Sequence, residues 1–244
     1  MLTSCFYETK CKGKSKLNCN TGCVKRGILT NLLALSNLPK HLWEDKPLVC
    51  GSDKDEYMRL QYIEDNVYDF VKNGKNIFIY SDHCGNGKTS WAVRLLLAYL
   101  DSIWHISGFN RKALFVSVPT FLYDCKRNIS HPLDGFQQLC DDLNTVDLVV
   151  WDDICAGNLT GYEHQILMQS IDTRMNSGLS NIFTANTSVQ NVKKELGERL
   201  ASRVWGCSYT VEFKDEDKRG LKNGRITDIK SYLERKNGFN TTDK

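Results

Sequence analysis

Short apolar runs alternate with longer stretches of helical periodicity over most of this 244-residue chain. The apolar runs occupy residues 77–81, 113–118, 146–151 and 181–186, and helical patterns fill the stretches around 88–104, 119–144, 161–176 and 189–204. Buried strands that alternate with helices are typical of a parallel sheet covered on both faces. The pattern therefore predicts an α/β fold with helices on either side of one parallel sheet.

The residues before this pattern differ in character. Four cysteines fall within the first 23 residues, and the aliphatic segment "ILTNLLALSNLPKHLW" follows them. A single helix is then predicted from Ser52 to Gly74. The Ser52 hydroxyl would cap its N-terminus together with Asp55, three positions further on. One face of this helix carries four apolar residues, Leu60, Ile63, Val67 and Phe70. We expect residues 1–50 to form a small adaptor region and the helix to pack beside the first strand.

Composition restricts the class of protein without identifying its function. Hydrophobic residues make up 41% of the chain and charged residues 25%, which suits one domain with a small appendage. No run approaches the roughly 20 apolar residues of a membrane helix, and the first residues lack the apolar region of a secretory signal. We therefore expect a cytoplasmic protein with no membrane partner. The net charge of +3 is too small to indicate nucleic-acid binding by itself.

The stretch "SDHCGNGKTS" at residues 81–90 matches a phosphate-binding loop in all but its first glycine, whose position holds Asp82. It stands where a predicted strand gives way to a helix, so backbone N–H groups and the helix N-terminus can surround phosphates. Lys88 would bridge the terminal phosphates of ATP, and Thr89 would bind Mg²⁺. The alternative is a glycine turn that precedes a helix by chance. The predicted nucleotide-binding residues of this loop are Gly85, Asn86, Gly87, Lys88, Thr89 and Ser90.

Two later strands end in polar side chains that would complete a nucleotide site. The run "DLVVWDD" ends in Asp152, which would join Thr89 around Mg²⁺, and in Asp153, which would orient the attacking water. The run "NIFTAN" ends in Asn186, whose amide would sense the γ-phosphate and hold that water. Each motif taken alone more often marks a strand that enters a polar turn. The catalytic interpretation therefore depends on the phosphate loop upstream.

Four motifs in order, "DLVVWDDI", "NIFTANTS", "LGERLASRVWG" and "VEFKDEDKR", resemble those of the DnaC/DnaI-type replicative helicase loaders, a group of AAA+ ATPases. The resemblance covers residues from about 50 to 219, and "CNTGC" near the start looks most like phage and prophage members. It implies an AAA+ module that binds ATP and Mg²⁺ and assembles side by side with copies of itself into a spiral. It also implies delivery of a hexameric DnaB-type helicase onto single-stranded DNA, with ATP hydrolysis as a slow switch.

The same resemblance assigns roles to the arginines of "GERLASR". In such loaders the arginine at the position of Arg203 is a finger that reaches the γ-phosphate bound by the neighbouring subunit, and Arg199 assists it or stabilises the interface. When the arginine comes from a neighbouring subunit, the nucleotide state is coupled to assembly. The alternative to this catalytic role is that both arginines belong to a solvent-exposed face of a helix. Arg219 is a weaker candidate for a second sensing arginine.

We predict three regions: a helicase-docking region at 1–50, an ATPase domain at 51–220, and a C-terminal helix and tail at 221–244. Within the first region, a helical face for the partner would consist of Ile28, Leu32, Leu33 and Leu35. A bound Zn²⁺ ion could hold this region together, because a segment this small cannot build its own core. The possible zinc ligands are Cys5, Cys11, Cys19 and Cys23. Their gaps are not those of paired C-x-x-C motifs, and free thiols in a flexible arm are the alternative.

Contact with DNA is predicted in "PTFLYDCKRN". Lys126 and Arg127 would contact phosphates, while Phe121 or Tyr123 would stack on bases. A solvated helix end with buried aromatic rings is the alternative. Two other functions compete with the loader: an IstB-like transposition helper that engages duplex DNA, and a P-loop kinase for a small acceptor. The kinase is disfavoured because a self-contained enzyme has no need of an arginine acting on a neighbour.

Overall fold

The computed structural model describes residues 23–43, 53–155, 157 and 159–215. Its helices are α1 (Val24–Leu35), α2 (Lys54–Asp65), α3 (Val67–Lys72), α4 (Lys88–Ile103), α5 (Val118–Ser130), α6 (Phe136–Leu143), α7 (Gly161–Asn176) and α8 (Val189–Val204), with a short 3₁₀ helix at Lys40–Leu42. Its strands are β1 (Asn76–Tyr80), β2 (Ala113–Ser117), β3 (Leu148–Asp152), β4 (Ser180–Ala185) and β5 (Tyr209–Glu212).

The strands form one parallel sheet in the order β2-β3-β4-β1-β5. Successive residues of a strand point to opposite faces, and each face packs against its own set of helices. Ile77 and Ile79 of β1 lie in the core formed with α1 to α4, whereas Phe78 and Tyr80 lie in the core formed with α5 to α8. The predicted α/β fold, a parallel sheet flanked by helices, is confirmed.

The sheet brings the three predicted site segments to one edge. The carboxyl ends of parallel strands lie on the same side, and ligands of open α/β sheets bind outside that side. The loop 81–87 follows β1, Asp152 ends β3 with Asp153 directly after it, and Asn186 follows β4. Because β4 lies between β3 and β1, these segments come from adjacent strands. None of the helices within the described ranges is long and apolar enough to cross a membrane.

The single helix predicted from Ser52 to Gly74 is wrong. Two helices, α2 and α3, meet at Asn66, whose φ of −115° and ψ of 24° are not helical. The Asn66 side chain stabilises the end of α2, since its Nδ2 donates to the Tyr62 carbonyl at 2.8 Å in addition to the backbone N–H of Asn66 at 3.2 Å. Ser52, the predicted cap, lies outside the described residues. Asp53 stands at the start of α2, and its carboxylate accepts from the backbone N–H groups of Lys214 and Asp215.

Helix α1 packs on the sheet domain instead of presenting a free apolar face. Leu32 and Leu33 are 1% and 0% exposed and belong to the same core as α4. After the helix, the Ser36 carbonyl accepts from Phe115 N at 2.8 Å, so the chain covers the outer edge of β2. Leu32 and Leu33 are therefore not available to a partner, which corrects the predicted docking face. The division of the chain at residue 50 stays a prediction.

Helix α8 bends at Gly197, where φ is 73° and ψ is 160°. Residues with a side chain rarely adopt this conformation, and a Cβ added there would lie 3.4 Å from Nε2 of His164 on α7. The bend gives the second half of α8 its own direction. That half carries Arg199 and Arg203.

Candidate nucleotide-binding site

The loop between β1 and α4 requires left-handed backbone at two glycines. The φ angles of Gly85 and Gly87 are 75° and 105°. Among the described residues other than glycine, only Asn37 and Asp153 have a positive φ, so Asp82 has ordinary backbone geometry. Its side chain is exposed. An aspartate in place of the usual first glycine therefore introduces no backbone strain here.

Side chains of the loop itself hold its shape. Ser81 Oγ accepts from His83 N at 3.0 Å and from Asn86 Nδ2 at 2.6 Å. Lys88 Nζ donates to the His83 carbonyl at 2.7 Å and to Asn86 Oδ1 at 3.1 Å, so the ammonium lies within the loop. Sequence reasoning missed Ser81, although a hydroxyl between a strand and a glycine-rich loop is a usable signal.

The residues present fit a nucleotide phosphate. No side chain caps the N-terminus of α4, and its first turn contains no acidic residue. The N–H groups of a first helical turn lack intrahelical acceptors and favour anions. Lys88 begins this helix and directs its ammonium into the adjoining loop. A triphosphate would therefore meet backbone donors and a positive charge on one side.

The predicted Mg²⁺ ligands are in direct contact. Asp152 Oδ1 accepts from Thr89 Oγ1 at 2.8 Å and from Thr184 Oγ1 at 2.7 Å. Burial raises the pKa of Asp152, whereas the hydrogen bonds from Thr184 and Thr89 lower it. A hydroxyl and a carboxylate oxygen that meet at the end of a strand are the oxygen ligands that Mg²⁺ prefers. These two residues fit the ion.

Asp153 and Asn186 also meet. Asp153 has a φ of 59°, and its backbone N–H donates to Thr184 Oγ1 at 2.9 Å. Asn186 Nδ2 donates to Asp153 Oδ1 at 2.9 Å. The hydroxyl of Thr184, which is only 2% exposed, thus contacts both aspartates. Sequence reasoning missed Thr184, because a threonine inside a strand usually indicates only β propensity.

Replacing Thr184 by valine is expected to lower the free energy of unfolding by about 1–3 kcal/mol, since both aspartates lose a buried partner. Because the lost hydrogen bond lowers the pKa of Asp152, that pKa should rise further. Mg²⁺ binds the carboxylate form, so the Mg²⁺ concentration needed for ATP binding should increase, and increase more as pH falls. Titrations with Mg²⁺ at several pH values check this. Thr184→Ser, which keeps the hydroxyl, should behave like the wild type, and an unchanged Mg²⁺ requirement in the valine variant would contradict the assignment.

The two predicted interface arginines lie on the second half of α8. Arg203 Nε donates to Asp172 Oδ1 of α7, and 43% of its side chain is exposed. Arg199 is exposed. In the part of the chain that the structure describes, no hydrogen bond or ion pair joins either arginine to loop 81–90 of the same chain. Their contribution to catalysis stays a prediction.

The predicted DNA-contacting segment forms α5, and its aromatic residues differ in exposure. Phe121 is 5% exposed and packs against Trp151 and Phe136, so the prediction that it can stack on bases is wrong. Tyr123 is 64% exposed. Lys126 forms an ion pair with Glu163 at 2.9 Å, while the neighbouring Arg127 is exposed.

The possible zinc site stays a prediction. Cys5, Cys11 and Cys19 lie outside the described residues. Cys23 is an exposed free thiol. Within the described ranges, no group of three or more His, Cys, Asp or Glu side chains is arranged to hold a metal ion.

Comparison with known proteins reveals relatives among replication proteins. No protein-family model matches the chain. Its sequence is similar to that of the replicative helicase loader DnaC of Escherichia coli strain K12, with 27% identity over 169 residues. These residues are 68% of this chain and 63% of the relative, so the match spans less than two thirds of that protein.

Solved structures of replication proteins share the fold. The crystal structure of the DnaC helicase loader superposes with a TM-score of 0.60 at 18% identity, covering 72% of this chain and 100% of that one. A replication initiator DnaA bound to AMPPCP and single-stranded DNA superposes with a TM-score of 0.57 at 18% identity, covering 82% and 60% of the two chains. The chain therefore has an AAA+ fold, and its predicted resemblance to the DnaC/DnaI-type helicase loaders is confirmed.

Proposed function

We propose that this chain is an ATP-dependent loader that binds a replicative DnaB-type helicase and delivers it onto single-stranded DNA. The hydrogen bond between Thr89 and Asp152 carries the nucleotide half of the proposal, because it joins the phosphate loop to the acidic end of β3. The helicase half rests on the similarity to a replicative helicase loader. The N-terminal residues 1–50 remain our proposed docking region, and a phage origin remains part of the proposal.

The proposed chemistry is hydrolysis of ATP at the carboxyl edge of the sheet. Bound Mg·ATP would supply the phosphoryl group, and the charge of the metal would offset the negative charge on the phosphate oxygens. Lys88 and the first turn of α4 bind the phosphates, and Thr89 with Asp152 holds the metal. Asp153 orients the attacking water, and the hydrogen bond from Asn186 keeps that carboxylate in place. The buried hydroxyl of Thr184 fixes both aspartates relative to each other.

Arg203 completes the site of a neighbouring subunit in this proposal. Its guanidinium is paired within its own chain to Asp172 and remains 43% exposed, which suits a group that serves another molecule. A guanidinium placed against the γ-phosphate stabilises the charge of the transition state. Hydrolysis then depends on side-by-side assembly into a spiral, and ATP becomes a switch for that assembly. Arg199, one turn before Arg203, would support the same interface.

The experiment that tests the proposed function is capture of a purified replicative helicase by the full chain with ATP, ADP or no nucleotide. We expect capture that depends on ATP, and helicase transfer to a single-stranded oligonucleotide. Asp152→Asn, which removes a proposed Mg²⁺ ligand, is the matched variant and should lose the ATP dependence. Capture of a transposase instead of the helicase would favour the transposition helper. Phosphate transfer to a small acceptor by monomeric protein would favour the kinase.

Single-stranded DNA should bind along α5 of the assembled protein. Replacing Lys126 and Arg127 together by alanine should flatten the slope of log affinity against log salt by about 1.4 at most, since each lost contact contributes about 0.7 on single strands. Arg127→Ala alone should account for most of the change, because Lys126 already has Glu163 as a partner. Fluorescence anisotropy across a salt series, with ATP present, measures the slope.

The matched control for this test is Lys193→Ala, which removes an exposed lysine from α8. It should leave the slope unchanged. Tyr123→Ala should weaken binding to single strands more than to duplexes, because stacking requires exposed base faces. A clear preference of the wild type for duplex DNA would contradict the loader and support the transposition helper.

A further inference from the structure

The ion pair between Arg203 and Asp172 engages only one side of the guanidinium. Nε of Arg203 donates to Asp172 Oδ1 at 2.5 Å. Among the described residues, no second carboxylate lies within ion-pair distance of Arg203. A guanidinium has five N–H donors in a planar fork, and Nε lies on the edge nearest the backbone. The other side chain that contacts this guanidinium is the exposed thiol of Cys207, so within the described residues Asp172 is the one carboxylate bound to it.

We propose that Asp172 is a positioning residue that holds Arg203 ready for the phosphate of a neighbouring subunit. The proposal rests on the proposed function, in which Arg203 acts as a finger between subunits. In this proposal Asp172 acts through the arginine. By accepting from Nε, it fixes the plane of the guanidinium and leaves the two terminal nitrogens to form paired hydrogen bonds with phosphate oxygens.

An arginine on a surface normally samples many side-chain conformations. A finger that must be ordered at the moment of assembly contributes less than one that is ordered beforehand. Asp172 supplies this order while Arg203 is still exposed to solvent. The carboxylate also raises the pKa of Arg203, mainly through the hydrogen bond.

The element that carries Asp172 is itself firmly attached to the sheet. Two residues further along α7, Arg174 is fully buried and its guanidinium donates to Asn181 Oδ1 at 2.7 Å and to the Ser180 carbonyl at 2.6 Å. The same guanidinium reaches the carbonyls of Leu143 and Val146. A carboxylate on such a helix has a defined position relative to the core. It can therefore serve as a reference point for a side chain on α8.

The element that carries Arg203 has a fixed direction as well. The bend at Gly197 separates the two halves of α8, and His164 of α7 lies against that glycine. In the second half, Leu200 and Val204 are fully buried. The backbone on both sides of the ion pair is thus held by packing, and only the arginine side chain requires an additional restraint. Asp172 provides that restraint.

The test compares Asp172→Ala and Asp172→Asn with the wild type under conditions in which the wild type hydrolyses ATP. We expect kcat of Asp172→Ala to fall by about 10- to 100-fold, the loss associated with a misplaced catalytic group, while the Kd for ATP stays unchanged. Asp172→Asn keeps an acceptor oxygen and should lose less. The matched control is Glu198→Gln, which removes the exposed ion pair with Lys193 from α8 and should hydrolyse ATP normally.

Mixtures of subunits separate positioning from a general structural defect. Asp172→Ala mixed with Asp152→Asn should recover activity, because the second protein has an intact finger and the first an intact nucleotide site. Asp172→Ala mixed with Arg203→Ala should not recover, since every interface then lacks a well-placed finger. Failure to recover with Asp152→Asn would overturn the proposal.

Two other outcomes would also overturn it. If Asp172→Ala hydrolyses ATP as fast as the wild type, the carboxylate does not position the finger. If Asp172→Ala hydrolyses faster, Asp172 restrains Arg203 instead of presenting it. Normal hydrolysis by Arg203→Ala is a different result, because it contradicts the finger itself and with it the proposed mechanism between subunits.

Discussion

Replacing Lys88 by alanine is expected to raise the Kd for ATP by about 30- to 3,000-fold, which corresponds to about 2–5 kcal/mol for removing one partner of a buried charge pair. Lys88 is 5% exposed and lies within the loop that would enclose the phosphates. Without it, the triphosphate keeps the backbone donors of α4 but loses its nearest side-chain cation. Titration with a fluorescent ATP analogue measures the change.

The matched control for Lys88→Ala is Asp82→Gly in the same loop. It restores the glycine usual at that position and removes an exposed negative charge, so affinity should be unchanged or higher. Thermal unfolding without nucleotide should show that both variants are folded. Equal affinity of Lys88→Ala and the wild type would mean that the nucleotide binds elsewhere.

Replacing Arg203 by alanine should leave ATP binding intact and lower kcat by about 10³- to 10⁵-fold, the range known for arginine fingers. ATP-dependent self-assembly should be lost as well, because the arginine would contact the nucleotide of the next subunit. Hydrolysis by a colorimetric phosphate assay and assembly by light scattering are the two measurements. Lys193→Ala, an exposed change on the same helix, should alter neither.

Partial rescue is the distinguishing result for Arg203. Arg203→Ala subunits have an intact site but no finger, and Asp152→Asn subunits have a finger but no complete metal site. Mixing them should restore hydrolysis at the interfaces where each supplies what the other lacks. Normal hydrolysis by Arg203→Ala alone would contradict an action on the neighbouring subunit.

The apolar runs of the sequence predict the four strands that are buried on both faces. Every residue of β1 and β4 is buried, and such strands appear as continuous apolar runs. The edge strand β5 escapes prediction, since only Val211 of its four residues is buried and the segment resembles a polar loop. Burial creates the recognisable pattern, and it is weak in β5, whereas the other edge strand, β2, is almost fully buried.

The sequence predicts those residues of the candidate site that belong to short, continuous motifs. Lys88 and Thr89 follow from a loop pattern, and Asp152 from a strand that ends in acid. The contacts of Thr184 and Asp172 could not be predicted, because each depends on a partner about 30 residues away in the chain whose direction is set by tertiary packing. Likewise, the aliphatic face of α1 gives no indication of whether a core or a partner covers it.

The position of β1 in the sheet has a consequence during translation. Both of its neighbours follow it in the chain, and Tyr80 pairs with Ala185 of β4 and Glu212 of β5. At about 5–20 residues per second, roughly 100 further residues must be synthesised over about 5–20 s before β4 can join β1. Until then the nascent chain exposes both edges of an apolar strand, a target for chaperones and for aggregation. The phosphate loop next to β1 therefore acquires its site only late in synthesis, when the strand pairs.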